Sequence, residues 1–269
     1  MLTNYRLLVL DLDGTVLDQN SRLTARTEAA LNKAQTLGLK ITFATGRLFS
    51  DALPYAKRLG LTLPLILNHG AILQTMSGKI LARHQIESYS AQALIAIADQ
   101  TGTACQLYKA GQLYLQHLAP WNQEYLRYST VTPHIVPDLA AIAAQEPEQI
   151  DFLGEPKELN QIKALIESNL GSRVTITSSY RHLLEVLAAG VSKGAALQHL
   201  AAQLNIPLEA TIAVGDGYND IGLIRTAGLG VAMGNAPEAV RRQADYITAP
   251  NSKDGLALFL DRLFPAAGT

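Results

Sequence analysis

The sequence predicts an α/β fold: a Rossmann-like core with a parallel sheet, interrupted by an inserted α+β domain. Three observations carry that expectation. Short apolar runs alternate with helix-period segments over residues 6–67 and again over 192–263, the rhythm of a parallel sheet. Between those stretches the rhythm changes to strand pairs separated by turn residues. Finally, the acids Asp11, Asp13, Asp216 and Asp220 fall at or shortly after the ends of apolar runs, where the strands of an open α/β sheet end and ligands bind.

The first core strand is predicted over 6–10. A helix over 24–37 follows, with Ala25, Ala29, Ala30, Ala34 and Leu37 at helical spacing, Thr24 as cap and Gly38 as stop. A second strand spans 39–44, and Thr45-Gly46-Arg47 turns into a helix running to about Leu59. Leu65-Ile66-Leu67 is the third strand, ending in Asn68-His69-Gly70. Ser77-Gly78-Lys79 reads as a hairpin turn.

The inserted part opens with a helix over 88–100. A hairpin follows, with strands over 105–108 and 113–115, and then a strand over 150–153, a helix over 156–170 and strands over 174–177 and 183–187. Pro133, Pro137 and Pro147 mark loops. The α/β rhythm resumes with a helix over 192–204, strand 210–214, helix 219–226, strand 229–232, helix 236–242, strand 245–248 and helix 255–263. The expected plan is a discontinuous core, 1–82 and 187–269, with an inserted domain over 83–186.

Composition narrows the function classes. With 48% hydrophobic and 17% charged residues the chain is globular, not disordered. A formal charge of −1 argues against a nucleic-acid platform. The single cysteine, Cys105, excludes a disulfide framework and a cysteine-cluster metal site, and it reads as a small buried hydrophobe. The first apolar run ends at Asp11, too soon for a signal peptide, and no segment approaches the ~20 apolar residues of a membrane span. The expectation is a soluble, cytoplasmic monomer or small homo-oligomer that engages neither nucleic acid nor membrane.

Four stretches carry chemistry. In Asp11-Leu12-Asp13-Gly14-Thr15, two carboxylates are crowded at a strand end, and a Mg²⁺ ion would offset their repulsion. Thr45-Gly46-Arg47 is expected at a helix start, where a hydroxyl and backbone N–H groups favour phosphate. Lys193 lies in the first turn of a helix, an unfavourable place for a cation unless carboxylates and a phosphate compensate it. Gly215-Asp216-Gly217-Tyr218-Asn219-Asp220 adds two acids after a strand. The set suits phosphoryl transfer, which needs positioning and charge neutralisation. In this reading Asp11 is nucleophile and metal ligand, and Asp13 is the general acid and base that reaches the metal only through its carbonyl. Asp216 completes the metal set, and Asp220 steadies Lys193 or a metal-bound water. Leu12, Thr45, Gly46, Lys193 and Asn219 hold the phosphate, with Lys193 also offsetting the charge of Asp11.

These stretches resemble, in order and spacing, the four signature motifs of the haloacid dehalogenase superfamily. The place of the insertion resembles the Cof-type phosphatases, which carry a type-two α/β cap. Gly228 to Met233, Gly234-Asn235-Ala236 and Asn251-Ser252-Lys253-Asp254-Gly255 are similar to the Cof-type pattern as well. The resemblance implies a Mg²⁺-dependent hydrolase of small phosphorylated metabolites, sugar phosphates foremost, working through an aspartyl-phosphate with a cap that selects the organic group. A phosphomutase uses the same site and stays open as the alternative; a non-catalytic binding module is the remaining one. The chain departs from the Cof-type Asn-Gly-Ala after the third strand, where it reads His69-Gly70-Ala71. His69 is therefore a candidate for specificity, with a plain turn residue as the other reading. Arg47 fits either an ion pair or substrate contact, and Arg181 either a second anionic group or a solvated hairpin. Trp121 and Tyr125 read as packing.

Overall fold

The structure is a computed structural model that describes residues 4–127, 129 and 131–265. In chain order the elements are β1 (Leu7–Leu10), α1 (Ala25–Thr36), β2 (Lys40–Phe43), α2 (Phe49–Arg58), β3 (Leu65–Leu67), β4 (Ile72–Gln74) and β5 (Ile80–Arg83). Next come α3 (Ser88–Thr101), β6 (Ala104–Lys109), β7 (Gln112–Leu115), α4 (Pro120–Leu126), β8 (His134–Ile135), α5 (Leu139–Ala143), β9 (Gln149–Leu153), α6 (Pro156–Leu170), β10 (Val174–Thr177) and β11 (Leu183–Ala188). The chain closes with α7 (Lys193–Gln203), β12 (Thr211–Gly215), α8 (Ile221–Thr226), β13 (Leu229–Ala232), α9 (Glu238–Arg241), β14 (Tyr246–Ile247) and α10 (Gly255–Leu263).

The chain divides into two compact units, residues 1–47, 52–81 and 192–269 in one, and 48–51 and 82–191 in the other. The expected cut at 186/187 would sever β11, which pairs along its length with β9 and β10 of the second unit; the division instead follows that strand.

In the first unit, five strands in the order β14-β13-β12-β1-β2 form a parallel sheet. β1 and β12 are buried along their whole length, as unbroken apolar runs in a covered parallel sheet must be. Their pairing registers Leu10 with Val214, and the Asp11 N–H donates to the Val214 carbonyl at 2.9 Å. Asp11 and Asp216 thus leave neighbouring strands at the same edge. Two helices of this unit, α1 and α7, start on side-chain caps: Thr24 Oγ1 accepts from the Thr27 N–H at 3.1 Å, and Ser192 Oγ accepts from the Ala195 N–H at 3.1 Å.

In the second unit a sheet in the order β10-β11-β9-β6-β7-β8 carries an apolar face formed by Leu107, Ile150, Phe152, Leu184 and Val186, buried in one hydrophobic cluster with residues of α3, α5 and α6. The other face is polar yet buried. Cross-strand register places Gln106 beside Asp151 and Asp151 beside Glu185. Gln106 donates to Asp151 at 3.1 Å and accepts from Asn122 of α4 at 3.2 Å, while Tyr108 donates to Tyr125 at 2.7 Å. Trp121 packs beside Ala104, Leu153 and Leu183 and stacks on His182 at 4.9 Å between ring centroids, so it serves packing as expected. Among the described residues, no helix is long and apolar enough to cross a membrane.

Candidate active site

The C-terminal edge of the parallel sheet gathers the site. Asp11 follows β1 in extended conformation, and the chain then makes a wide turn over Leu12–Val16, closed by the Leu17 N–H donating to the Leu12 carbonyl at 2.9 Å. That turn contains Gly14 at φ +78, where a Cβ would fall 2.3 Å from Asp216 Oδ2. A glycine is required there on both counts, since its bare Cα lets the carboxylate close in.

Lys193 is the first residue of α7 and is fully buried. Its Nζ donates to Asp11 Oδ1 at 2.5 Å and to Asp220 Oδ1 at 2.6 Å. The cation at the helix start is thus compensated by two carboxylates. Burial acts to lower its pKa, but Asp11 and Asp220 outweigh burial and push it up. Asp220 spends its other oxygen on the backbone N–H groups of Asp216 (3.0 Å) and Gly217 (2.9 Å), which fixes the turn that presents Asp216.

Asp11, Asp216 and Asp220 offer carboxylate oxygens that all lie within 4.8 Å of one another. Burial first, and then the charge of Asp220, raises the pKa of Asp11 well above the carboxylate range. The same two causes push Asp216 up to about 7, against the lowering effects of its hydrogen bond from Thr15 and of Lys193. Three crowded acids facing one ammonium and offering hard oxygen donors fit a divalent cation such as Mg²⁺. The oxygens of Asp220 accept from Lys193 on one side and from two backbone N–H groups on the other.

Asp216 is itself held at both oxygens. The Thr15 hydroxyl donates to Oδ1 at 2.9 Å, and the Asn235 amide donates to Oδ2 at 3.0 Å and to the Gly14 carbonyl at 3.0 Å. Asn251 N–H in turn donates to Asn235 Oδ1 at 2.9 Å. Thr15 and Asn235 both stand within the sequence motifs, where no task is expected of their side chains. Asn235 follows β13 at the same sheet edge, which places it near the site without naming its partner.

Arg47 grips Asp13 through a two-pronged ion pair, Nε to Oδ2 at 2.8 Å and Nη2 to Oδ1 at 2.6 Å. The ion-pair reading of Arg47 is therefore the one the geometry realises. One expectation is corrected. Thr45 and Gly46 are not at a helix start, because α2 begins only at Phe49. The buried Thr45 hydroxyl instead accepts the Arg47 N–H at 3.1 Å, closing a tight local turn.

His69 is buried, and Asn219 Nδ2 lies 3.2 Å from its Nδ1. The ring covers Gly46, where a Cβ would fall 2.3 Å from His69 Cε1. The Leu12 side chain is fully buried, which leaves only its backbone to face a ligand. Arg181 lies between β10 and β11 in the second unit, with an exposed side chain.

The model of one family, described as haloacid dehalogenase-like hydrolase, matches residues 8–260. The chain belongs to that family. It is a phosphoric monoester hydrolase of the Cof type. A putative phosphatase of Haemophilus influenzae is 27% identical over 262 residues, covering 97% of this chain and 99% of that protein. A Bacillus subtilis phosphatase is 29% identical over 290 residues, covering 96% and 99%. Among solved structures, a haloacid dehalogenase-like hydrolase from Bacteroides thetaiotaomicron superposes with a TM-score of 0.86 at 26% identity, over 97% of this chain and 100% of the other. A subclass IIB sugar phosphatase superposes with a TM-score of 0.84 at 25% identity, over 96% and 98%.

Proposed function

We propose that the chain is a Mg²⁺-dependent phosphatase that hydrolyses small phosphorylated metabolites, sugar phosphates foremost, through an aspartyl-phosphate on Asp11. The observation that carries this reading is the buried Lys193 bridging Asp11 and Asp220 beside Asp216. It commits one Asp11 oxygen to a cation and leaves the other for attack.

Asp11 Oδ2 attacks phosphorus, the bond from phosphorus to the ester oxygen breaks, and Asp13 gives its proton to the departing alcohol. Asp13 then takes a proton from a water that attacks the same phosphorus, releasing inorganic phosphate and restoring Asp11. Asp13 needs a proton on one oxygen for the first step, so one prong of its pair with Arg47 opens. Lys193, Thr45, Asn219 and the backbone around Leu12 and Gly46 hold the phosphoryl oxygens. Asp11, Asp216 and the Asp13 carbonyl would hold the Mg²⁺ ion, which supplies positive charge against the phosphate. Asp220 steadies Lys193 and the turn of Asp216.

The substrate class rests on relatives. One structural neighbour is described as a sugar phosphatase, and relatives at 28% identity are described as a 5-amino-6-(5-phospho-D-ribitylamino)uracil phosphatase of Bacillus subtilis and an HMP-PP phosphatase of Serratia proteamaculans. Small phosphorylated molecules are common to all three. The test is phosphate release from a panel of sugar and heterocycle phosphates with Mg²⁺, by wild type and Asp11→Asn. Release by the wild type alone supports the reading. Equal release by Asp11→Asn overturns the mechanism, and isomerised sugar phosphate in place of free phosphate identifies a mutase.

A further inference from the structure

We infer that His69 is a positioning residue, which sets the orientation of the Asn219 amide and through it the affinity for phosphate. The inference rests on the phosphate-binding role assigned to Asn219 above.

Backbone strain first draws attention to the turn. After β3 the chain passes through three consecutive residues with positive φ: Asn68 at 47, His69 at 55 and Gly70 at 104. Glycine tolerates that region freely, whereas a side chain there costs energy, and strained residues persist where their surroundings hold them. A glycine at position 69 would relieve strain, yet the chain keeps an imidazole there and buries it. The surroundings are built to accept it. The ring lies where any side chain at Gly46 would be, at 2.3 Å from that position's Cβ. Gly70 in turn approaches Ser192, the cap of α7, so closely that a Cβ would fall 2.4 Å from its carbonyl oxygen. The turn is thereby anchored on the helix that carries Lys193.

The chemistry of the contact then fixes roles. An amide NH₂ only donates, so with Asn219 Nδ2 at 3.2 Å the Nδ1 of His69 is the acceptor of this contact. The opposite end of the amide is also constrained: Asn219 Oδ1 lies 2.3 Å from where a Cβ on Gly217 would be. The carbonyl oxygen is packed over Gly217 and the NH₂ group is drawn to His69. A half-turn of the amide would bring its oxygen against the imidazole acceptor, lone pair to lone pair. His69 therefore selects the rotamer in which the second N–H of Asn219 remains available to a phosphoryl oxygen. It needs no contact with the substrate to do so.

The experiment uses the whole chain and two variants. His69→Gly removes the acceptor and relieves the backbone strain; His69→Asn keeps an acceptor, because Asn Oδ1 occupies the place of Nδ1. Affinity for inorganic phosphate is measured by calorimetry with Mg²⁺ present, and KM and kcat with the best ester of the panel. We expect His69→Gly to weaken phosphate binding and raise KM roughly tenfold, with kcat changed less than about threefold, since a contact made equally in ground and transition states moves KM alone. His69→Asn is expected to restore most of the loss. In an Asn219→Ala background, His69→Gly is expected to add nothing. Phosphate affinity unchanged in His69→Gly, or an undiminished loss in the Asn219→Ala background, overturns the proposal. A wild type that binds phosphate but turns over no ester overturns the phosphatase reading instead, and the same affinities still decide the role of His69.

Discussion

Lys193 and Asp11 meet at 2.5 Å between Nζ and Oδ1, across 182 residues of sequence. No part of the lysine is exposed. The pair is the charge balance of the site. Removing the cation leaves Asp11, Asp216 and Asp220 facing one another in a buried space. Lys193→Met is therefore expected to lose turnover and to cost about 3–5 kcal/mol of stability, the usual effect of orphaning buried charges. Urea unfolding beside a phosphate-release assay checks both; a variant as stable as wild type contradicts the charge argument.

Asp216 owes its orientation to neutral donors. Asn235→Ala and Thr15→Ala each free one of its oxygens. Each is expected to weaken Mg²⁺ or Mn²⁺ binding about 10-fold or more, as loss of a partner behind a metal ligand does elsewhere. Titration calorimetry reads it directly. Saturating Mg²⁺ is further expected to raise the melting temperature of the wild type and not that of Asp216→Ala.

The fork of Arg47 on Asp13 separates geometry from charge. Asp13→Asn is expected to lower kcat by roughly 10²–10⁴, because the proton carrier is gone. Arg47→Lys keeps the positive charge but not the two-pronged grip. It is expected to lose about tenfold in kcat and little in KM, in steady-state kinetics. An Arg47→Lys enzyme equal to wild type would show that the fork has no part in placing Asp13.

Gly46 and His69 compete for one space. Gly46→Ala puts a methyl group 2.3 Å from His69 Cε1 and is expected to cost about 1–3 kcal/mol through overpacking. Combining it with His69→Gly removes the obstacle, so the double variant is expected to melt above Gly46→Ala alone. Strictly additive losses in the melting curves would place the strain elsewhere.

Cys105 reports on the second unit. It is half-buried against the cluster below α3, α5 and α6, and burial pushes its thiol pKa far up, with Asp151 and Asp99 adding to the effect. A raised thiol pKa means less thiolate at any pH below it. At pH 8 the native protein is expected to react with a disulfide reagent at least about tenfold more slowly than the urea-unfolded chain. Equal rates would contradict the burial.

Where local chemistry defines an element, the sequence was readable. α6 begins at Pro156, ends before Gly171 and buries Leu159, Ile162, Ile166 and Leu170 at helical spacing. Its expected range agrees with the structure, as do those of α10 and β13. The turn expected at Thr45, Gly46 and Arg47 is present, closed by the Thr45 side chain, and α2 follows it from Phe49 to Arg58. β4 and β5 were signalled only by the Ser77-Gly78-Lys79 turn between them, and none of the residues of β5 is buried. The helix Leu139–Ala143 was missed since its run of alanines shows no apolar period.

The candidate site divides in the same way. Acids at strand ends announce themselves, because nothing else accounts for charge beside apolar runs. Thr15 and Asn235 do not, because their task exists only once β1, β12 and β13 lie side by side. Nor does Arg47 reveal in sequence that its partner is Asp13, 34 residues earlier. Partner choice among charges is a property of the assembled sheet edge.

The strand order has a consequence for synthesis. β1 emerges first, yet its neighbour on one side is β12, with Leu7 set against Thr211. Until that strand leaves the ribosome, the Leu7–Leu10 run has only β2 to pair with, and the nucleophile has no Lys193. Residues 82–191, by contrast, are nearly self-contained in sequence and are free to fold while the rest of the first unit waits. The nascent chain therefore carries an unfinished apolar strand through the whole synthesis of the insertion. Its yield in the cell is expected to depend on holding that strand out of aggregation rather than on final stability, so a chaperone-poor host would lose soluble protein before any loss of melting temperature is seen.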